Sequence, residues 1–236
     1  MQQLAFAWLA TGLFAASLGY FLYAYLFTFG VIHRVESSAG WRPALINFAL
    51  FTIFALHHSL FARAGIKRAI TNLVPPAVER ALYSFVASVL FLLVCAFWQP
   101  LSGVLYALSG PWRWLGYGAQ VAGLVLTVAS SRALDVLDLS GLRQVLNARV
   151  AGATAPHALE TGGVYGMVRH PLYLGWALFV FGAPDMTLTR FSFAAISTAY
   201  LAVAIPFEES GLVRTFGSDY EAYRRLVRWR MLPGVY

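Results

Sequence analysis

Long apolar runs alternate with short polar interruptions along this chain, and the run lengths carry most of the structural information. Apolar stretches cover 4–32, 43–62, 77–98 and 112–131, and a fifth, 171–207, is interrupted by "GAPDMT" at 182–187. About 20 apolar residues in a helix are needed to cross the hydrocarbon layer of a bilayer. The first four runs therefore each predict one span. The fifth is too long for one, and Gly182 and Pro184 favour a turn within it, which divides it into a hairpin of 171–182 and 189–207. Pro43 suits a first helical turn, Pro75 and Pro76 introduce the third run, and Pro100 ends it. The expected fold is all-α: a polytopic membrane bundle of five to six helices with a C-terminal helical hairpin, forming a single membrane-embedded domain over 1–236.

Composition agrees with that pattern. The chain is 59% hydrophobic, 16% aromatic and 11% charged, whereas globular proteins carry about 25% charged residues. Residues 4–32 lack a basic start and a small-residue cleavage pattern, so they read as a retained span. Cys95 is the single cysteine, which excludes a disulfide framework and a CxxC motif. In its apolar setting it reads as a small buried hydrophobe. The formal charge of +7 points to membrane orientation rather than nucleic acid. Of the 17 lysines and arginines, all but Arg34, Arg42, Arg113 and Arg190 fall on the side that holds 63–80, 132–170 and 208–236. That side is expected to be cytoplasmic, with both termini on it, in a bacterial inner membrane. Within its loops, "DVLDLSGLRQVL" has the spacing of a short interfacial helix, and 153–166 reads as irregular. Ser218 and Glu221 have capping-box spacing, so a helix is expected to restart near 219.

Soluble-site signatures are missing. There is no Walker A and no HExxH, and "GYGAQVAG" at 116–123 neither matches GxGxxG nor follows a strand. No metal site is expected. What remains is a set of polar groups at helix ends on the cytoplasmic side. Arg169 and His170 precede the hairpin, and Glu208 and Glu209 end it at the same depth. The two glutamates lie about 100° apart on a helix, so one of them faces inward. The free N–H groups that open the 171–182 helix suit an anion, and the carboxylates suit an ammonium or sulfonium. Tyr165, Tyr173 and Trp176 can stack on a flat ring or sit against a cation. Together these groups describe a zwitterionic, aromatic ligand at a membrane surface; the alternative is an interfacial anchor followed by an ordinary solvated helix end. His57 and His58, in "FALHHSLFAR", have alternatives open as pocket lining, as structural groups or as haem or metal ligands. Adjacent histidines diverge on a helix, which disfavours joint ligation.

The segments "VRHPLYLGW" and "PFEESGLVRTFGSDYEAYRRLV" resemble the membrane methyltransferases related to isoprenylcysteine carboxyl methyltransferase and phospholipid methyltransferase. The shared pattern, RHPxYxG followed by EExxLxxxFGxxYxxY, is met by Arg169 to Gly175 and by Glu208, Glu209, Leu212, Phe216, Gly217, Tyr220 and Tyr223. Earlier segments, "ALHHSLFAR", "ERALYSFVASVLFLL", "WQPL" and "LDLSGLRQVL", look like a narrower branch, the bacterial methanethiol S-methyltransferases and their NnrU-like relatives. The resemblance implies S-adenosylmethionine as cofactor. It would be held by Tyr165, His170, Tyr173, Gly175, Glu208 and Glu209, with Arg169, Glu208 and Glu209 as the catalytic candidates. His57, His58 and Trp176 would line the substrate pocket. Two departures matter: Arg228 follows Val227 where the family commonly has proline, and "YLAVAIPFEE" holds no arginine. An acceptor carboxylate would want a cation there, so a thiol or another small lipophilic acceptor is favoured over a prenylcysteine carboxylate or a phospholipid amine. The rival classes are an NADPH-dependent sterol reductase and, outside enzymes, a small transporter or nitrogen-oxide-associated membrane protein.

Overall fold

A computed structural model describes residues 1–32, 41–61, 63–134, 136–150 and 159–236. It divides into two compact units, one of 1–103 with 134–155 and one of 104–133 with 156–236. The expected loop at 153–158 and Arg34 lie outside the described residues.

In the first unit, α1 (Gln2–Tyr23, continued by a π-helical turn to Thr28), α2 (Arg42–Phe61), α3 (Ala64–Thr71) and α4 (Pro76–Phe97) follow one another. α1 and α2 pack on α4. The amphipathic segment predicted over "DVLDLSGLRQVL" is split into α6 (Val136–Leu139) and α7 (Leu142–Val150). The break falls at Gly141, whose φ of 86° suits glycine and whose α-carbon lies against the Arg80–Ala81 backbone. Small residues allow α7 to approach closely: Ala7, Ala10 and Ala81 form one buried cluster with Leu142 and Val145. Asn47 is fully buried and clamps the chain after α4, donating to Gln99 O at 2.9 Å and accepting from Gln99 N at 2.7 Å. That exchange leaves no buried amide atom of Asn47 unmet.

The second unit contains β1 (Val104–Ala107), α5 (Trp112–Leu134), α8 (Pro171–Phe181), β2 (Asp185–Thr187), α9 (Leu188–Phe216) and α10 (Ser218–Leu226). The strands pair antiparallel, and side chains fasten the hairpin turn beside them. Arg113 grips both Asp185 carboxylate oxygens at 3.0 and 2.7 Å, and Arg190 donates to Asp185 O at 2.7 Å. Thr187 caps α9 by accepting from Arg190 N. α5 and α8 touch backbone to backbone: a β-carbon on Gly123 would stand 2.5 Å from Gly175 O, and one on Gly175 would stand 2.6 Å from Thr127 Oγ1. Close helix contact through small residues is the usual packing solution where lipid supplies no hydrophobic drive.

Four described helices are long and apolar enough to cross a membrane: Gln2–Thr28, Arg42–Phe61, Pro76–Phe97 and Leu188–Phe216. Their outward faces are apolar; Leu9, Leu45, Ile53 and Val203 are all more than half exposed in the isolated chain. Such faces require lipid rather than water, and the chain is a multi-pass, all-α membrane protein. The remaining expected spans are also present as helices. α5 has 23 residues, with Arg113 in its first turn and Gln120 among its apolar residues, and α8, with 11 residues, reaches roughly half the hydrocarbon thickness. The second arm of the hairpin also continues to Phe216 instead of stopping at 207, so Glu208 and Glu209 lie inside a helix rather than beyond its end. The restart is at Ser218, with Gly217 as N-cap and no side-chain cap bond, so the Ser218–Glu221 capping box is not formed.

Replacing Gly123 by alanine places a methyl group on the α8 backbone, and overpacking of this kind costs about 1–3 kcal/mol. Gly118 of the same helix has open space around it. In detergent, Gly123→Ala is expected to lower the melting temperature, whereas Gly118→Ala leaves it unchanged or slightly raised; fluorescence-detected thermal unfolding distinguishes the two.

Candidate active site

The residues before α8 are shaped by Pro171. The residue preceding a proline is pushed out of the helical region, and His170 is accordingly the N-cap of α8 at φ −122° and ψ 66°. This leaves 169–170 extended, and the chain beyond α10 lies alongside: Arg169 N donates to Trp229 O at 2.9 Å and His170 N to Arg230 O at 2.8 Å. The Arg169 side chain turns inward at 8% exposure. Its Nε donates to Glu209 Oε1 at 2.6 Å, and its Nη1 donates to Val227 O and Arg228 O, both at 2.8 Å.

Glu209 is 3% exposed. Besides Arg169 it has His170 Nε2 at 3.4 Å and Arg230 Nε at 3.6 Å. A carboxylate this deeply buried persists as an anion only where cations and hydrogen bonds replace its water. Glu208, one residue earlier and about 100° around the helix, is half exposed. It accepts from the Tyr173 hydroxyl at 2.8 Å and lies 3.5 Å from His170 Nδ1. The Tyr173 ring stacks on the His170 ring, 5.3 Å between centroids and 13° from parallel. The two glutamates thus face different neighbours, one an internal ion cluster and the other an open aromatic corner.

α10 closes the back of the cluster. Gly217, at φ 55° and ψ −127°, lets the chain reverse after α9, a backbone conformation that glycine adopts without strain. The turn returns Tyr220 and Tyr223 to the interior. Tyr223 donates to Tyr165 O at 2.7 Å, and Tyr165 donates to Ser130 O at 3.4 Å. Burial pushes the Tyr220 hydroxyl up to about 12, with the Glu209 charge adding to it, and raises Tyr223 and Tyr165 as well. All three remain neutral at working pH, and Tyr223 and Tyr165 act as hydrogen-bond donors. Pro206 leaves Ala202 O of α9 without its helical donor, and the Tyr236 hydroxyl supplies one at 3.3 Å. Tyr236 also carries Arg230, which stacks 5.1 Å above its ring and donates to its hydroxyl.

Arg169, His170, Tyr173, Glu208 and Glu209 therefore come together, with Tyr165 tied in through Tyr223. Two residues expected at the site have other surroundings. Gly175 lies in the α5–α8 contact, and Trp176 donates to Ser197 of α9 at 2.9 Å within the hairpin. His57 and His58 belong to the first unit. The His57 ring stacks on Phe61 at 4.6 Å and on Tyr83 at 5.5 Å, while His58 Nδ1 is 2.9 Å from the Tyr83 hydroxyl.

A methanethiol S-methyltransferase of Bradyrhizobium diazoefficiens is 37% identical over 183 residues, 78% of this chain and 71% of that protein. One from Mycobacterium tuberculosis is 33% identical over 231 residues, covering 90% of this chain and 91% of its own. The chain belongs to the methanethiol S-methyltransferase family. A protein-S-isoprenylcysteine O-methyltransferase of Dictyostelium discoideum is 31% identical over 83 residues, 34% of this chain and 35% of that protein, which agrees with the wider kinship. No family model and no solved structure matches. As a member of this family, the protein is a membrane methyltransferase.

Sequence reasoning missed Arg230, Tyr220 and Tyr236 as parts of this site. The signal that could have found Tyr220 is its spacing from Tyr223, three apart on a short helix after Gly217, which places both on one face. No pattern marked Arg230 or Tyr236, because their contacts are with α9 and Glu209, far away in sequence.

Removing one partner of a buried ion pair costs about 3–5 kcal/mol, whereas exposed pairs contribute about 0–1 kcal/mol. Glu209→Gln is therefore expected to lower the melting temperature substantially and Glu208→Gln to leave it near wild type. A similar loss in both, measured by thermal unfolding, would contradict the separate surroundings of the two carboxylates.

Proposed function

We propose that this methyltransferase moves the methyl group of S-adenosylmethionine to a small thiol at the cytoplasmic face of a bacterial inner membrane, with both termini on that face. The whole chain, 1–236, then acts as one methyltransferase domain. The reading rests chiefly on the open corner made by Glu208, Tyr173 and His170. There a half-exposed carboxylate, already oriented by the Tyr173 hydroxyl, lies beside two stacked rings. That donor set fits the cofactor, whose ammonium and sulfonium call for an anion and whose adenine calls for aromatic faces. The names of the relatives support a thiol as acceptor, and the lysine and arginine distribution supports the orientation.

Glu208 holds the ammonium, and Tyr173 supplies a ring face backed by the buried His170 ring. Arg169 and Glu209 are positioning residues: they fix the start of α8 against α9 and so hold His170 and Glu208 at their separation. When bound, S-adenosylmethionine supplies the electrophilic methyl. The protein's share is alignment of an in-line attack and exclusion of water, and a thiolate acceptor needs no strong general base beside it. His57 and His58 are retained as acceptor-side candidates, as groups that polarise or orient the thiol.

Calorimetry with S-adenosylmethionine and headspace detection of dimethyl sulfide from methanethiol test this directly. A charge-assisted hydrogen bond contributes about 1.5–3 kcal/mol, so Glu208→Gln and His170→Ala are expected to weaken cofactor binding roughly 10- to 100-fold. The melting temperature of Glu208→Gln should stay near wild type in the absence of ligand, whereas His170→Ala, which removes a buried neighbour of Glu209, is expected to lower it. His57→Ala should raise KM for the thiol at unchanged cofactor affinity. Wild-type protein that binds no S-adenosylmethionine saturably overturns the proposal.

A further inference from the structure

On another face of α9 lies a cleft of about 400 Å³, lined by Pro206, Glu209, Ser210, Val213, Arg224 and Arg230. Its one carboxylate is already bound to Arg169 through Oε1, so Arg224 and Arg230 leave the cleft positive. Arg230 is held in place by Tyr236 and Glu209. Arg224 is exposed and has no hydrogen bond or ion pair among the described residues. Helical spacing of three and four carries the same face of α9 from Ser210 and Pro206 to Phe207 and Val203, which are 61% and 62% exposed. Leu226 and Trp229, exposed at 83% and 40%, flank the arginines from the α10 side, as apolar and aromatic residues do at a headgroup layer.

We infer that this cleft is a binding site for the phosphate of an anionic phospholipid, seated between Arg224 and Arg230 with its acyl chains along Val203 and Phe207. A positive cleft at the end of a membrane-crossing helix, continuous with an apolar stripe, matches both ends of such a lipid. A soluble anion would use only the polar half. A zwitterionic lipid would bring its own cation against the arginines. The site is independent of the Glu208 corner, since it does not use that carboxylate or the His170–Tyr173 stack.

The test is native mass spectrometry of the full-length protein, titrated in detergent with phosphatidylglycerol, phosphatidylcholine or inorganic phosphate. Phosphatidylglycerol is expected to bind in preference to the other two. Each cation near a lipid surface contributes about 1 kcal/mol, so Arg224→Ala should weaken phosphatidylglycerol roughly fivefold and Arg224→Glu further. The melting temperature and S-adenosylmethionine affinity in phosphatidylcholine nanodiscs should remain those of wild type. Equal binding of both lipids, or phosphatidylglycerol binding unchanged in Arg224→Glu, overturns the inference. Inorganic phosphate that binds as tightly as the lipid and is lost in the same variant would assign the cleft to a soluble anion. A loss of cofactor affinity in Arg224→Glu would assign it to the cofactor instead, and would leave the methyltransferase reading standing.

Discussion

Glu209 is the constraint around which the C-terminal half of this protein is arranged. A carboxylate at 3% exposure within a helix that crosses a membrane is costly unless its charge is matched at close range. Arg169 matches it at 2.6 Å, with His170 and Arg230 as further neighbours. Each of those residues is in turn tied elsewhere. Arg169 reaches the carbonyls of Val227 and Arg228, His170 is fixed by the proline that follows it, and Arg230 rests on Tyr236. The start of α8, the late turns of α9 and the chain after α10 are thereby held to a single ion cluster, and the proline that interrupts α9 is satisfied by the same tail.

That arrangement explains why two glutamates stand side by side. One helical step separates them by about 100°, enough for one to be consumed by the fold while its neighbour looks outward, oriented but not neutralised. The proposed methyl transfer from a sulfonium would need such groups held still, because it depends on alignment more than on proton transfer. In the proposed function, the buried carboxylate supplies rigidity and the half-exposed one supplies the charge that meets the ligand.

The membrane architecture and the convergence of 169–170 with 208–209 were legible in the sequence because both follow from run length and helical geometry. The turn at 182–187 was legible for the same reason: Gly182 and Pro184 interrupt an apolar run too long for one span. The end of the second hairpin arm was not. The polar Glu208 and Glu209 look like a solvated terminus, yet Glu209 is buried because Arg169, forty residues earlier, neutralises it. The roles of Gly175 and Trp176 were hidden for a related reason. A glycine in a motif can serve a ligand or a helix contact, and only the partner helix, here Gly123 and Thr127 of α5, separates these. Arg230 and Tyr236 had no local signature at all, since one joins the Glu209 cluster and the other completes a break in α9, both distant in sequence.

The departure from the family pattern after Val227 fits this physical picture. Arg169 needs carbonyl acceptors at 227 and 228, and it takes them from residues that have left the helix: α10 ends at Leu226, and Val227 is already extended at φ −101° and ψ 95°. A proline at 228 would favour the same extended conformation in the residue before it while leaving both carbonyls intact, since proline removes a donor and not an acceptor. Arg228 can therefore replace it without loss to the Arg169 cluster, and it adds a cation to a tail that already holds Arg224, Arg225 and Arg230. What the site demands at this position is the backbone conformation, and the side chain is left open to the demands of the membrane surface.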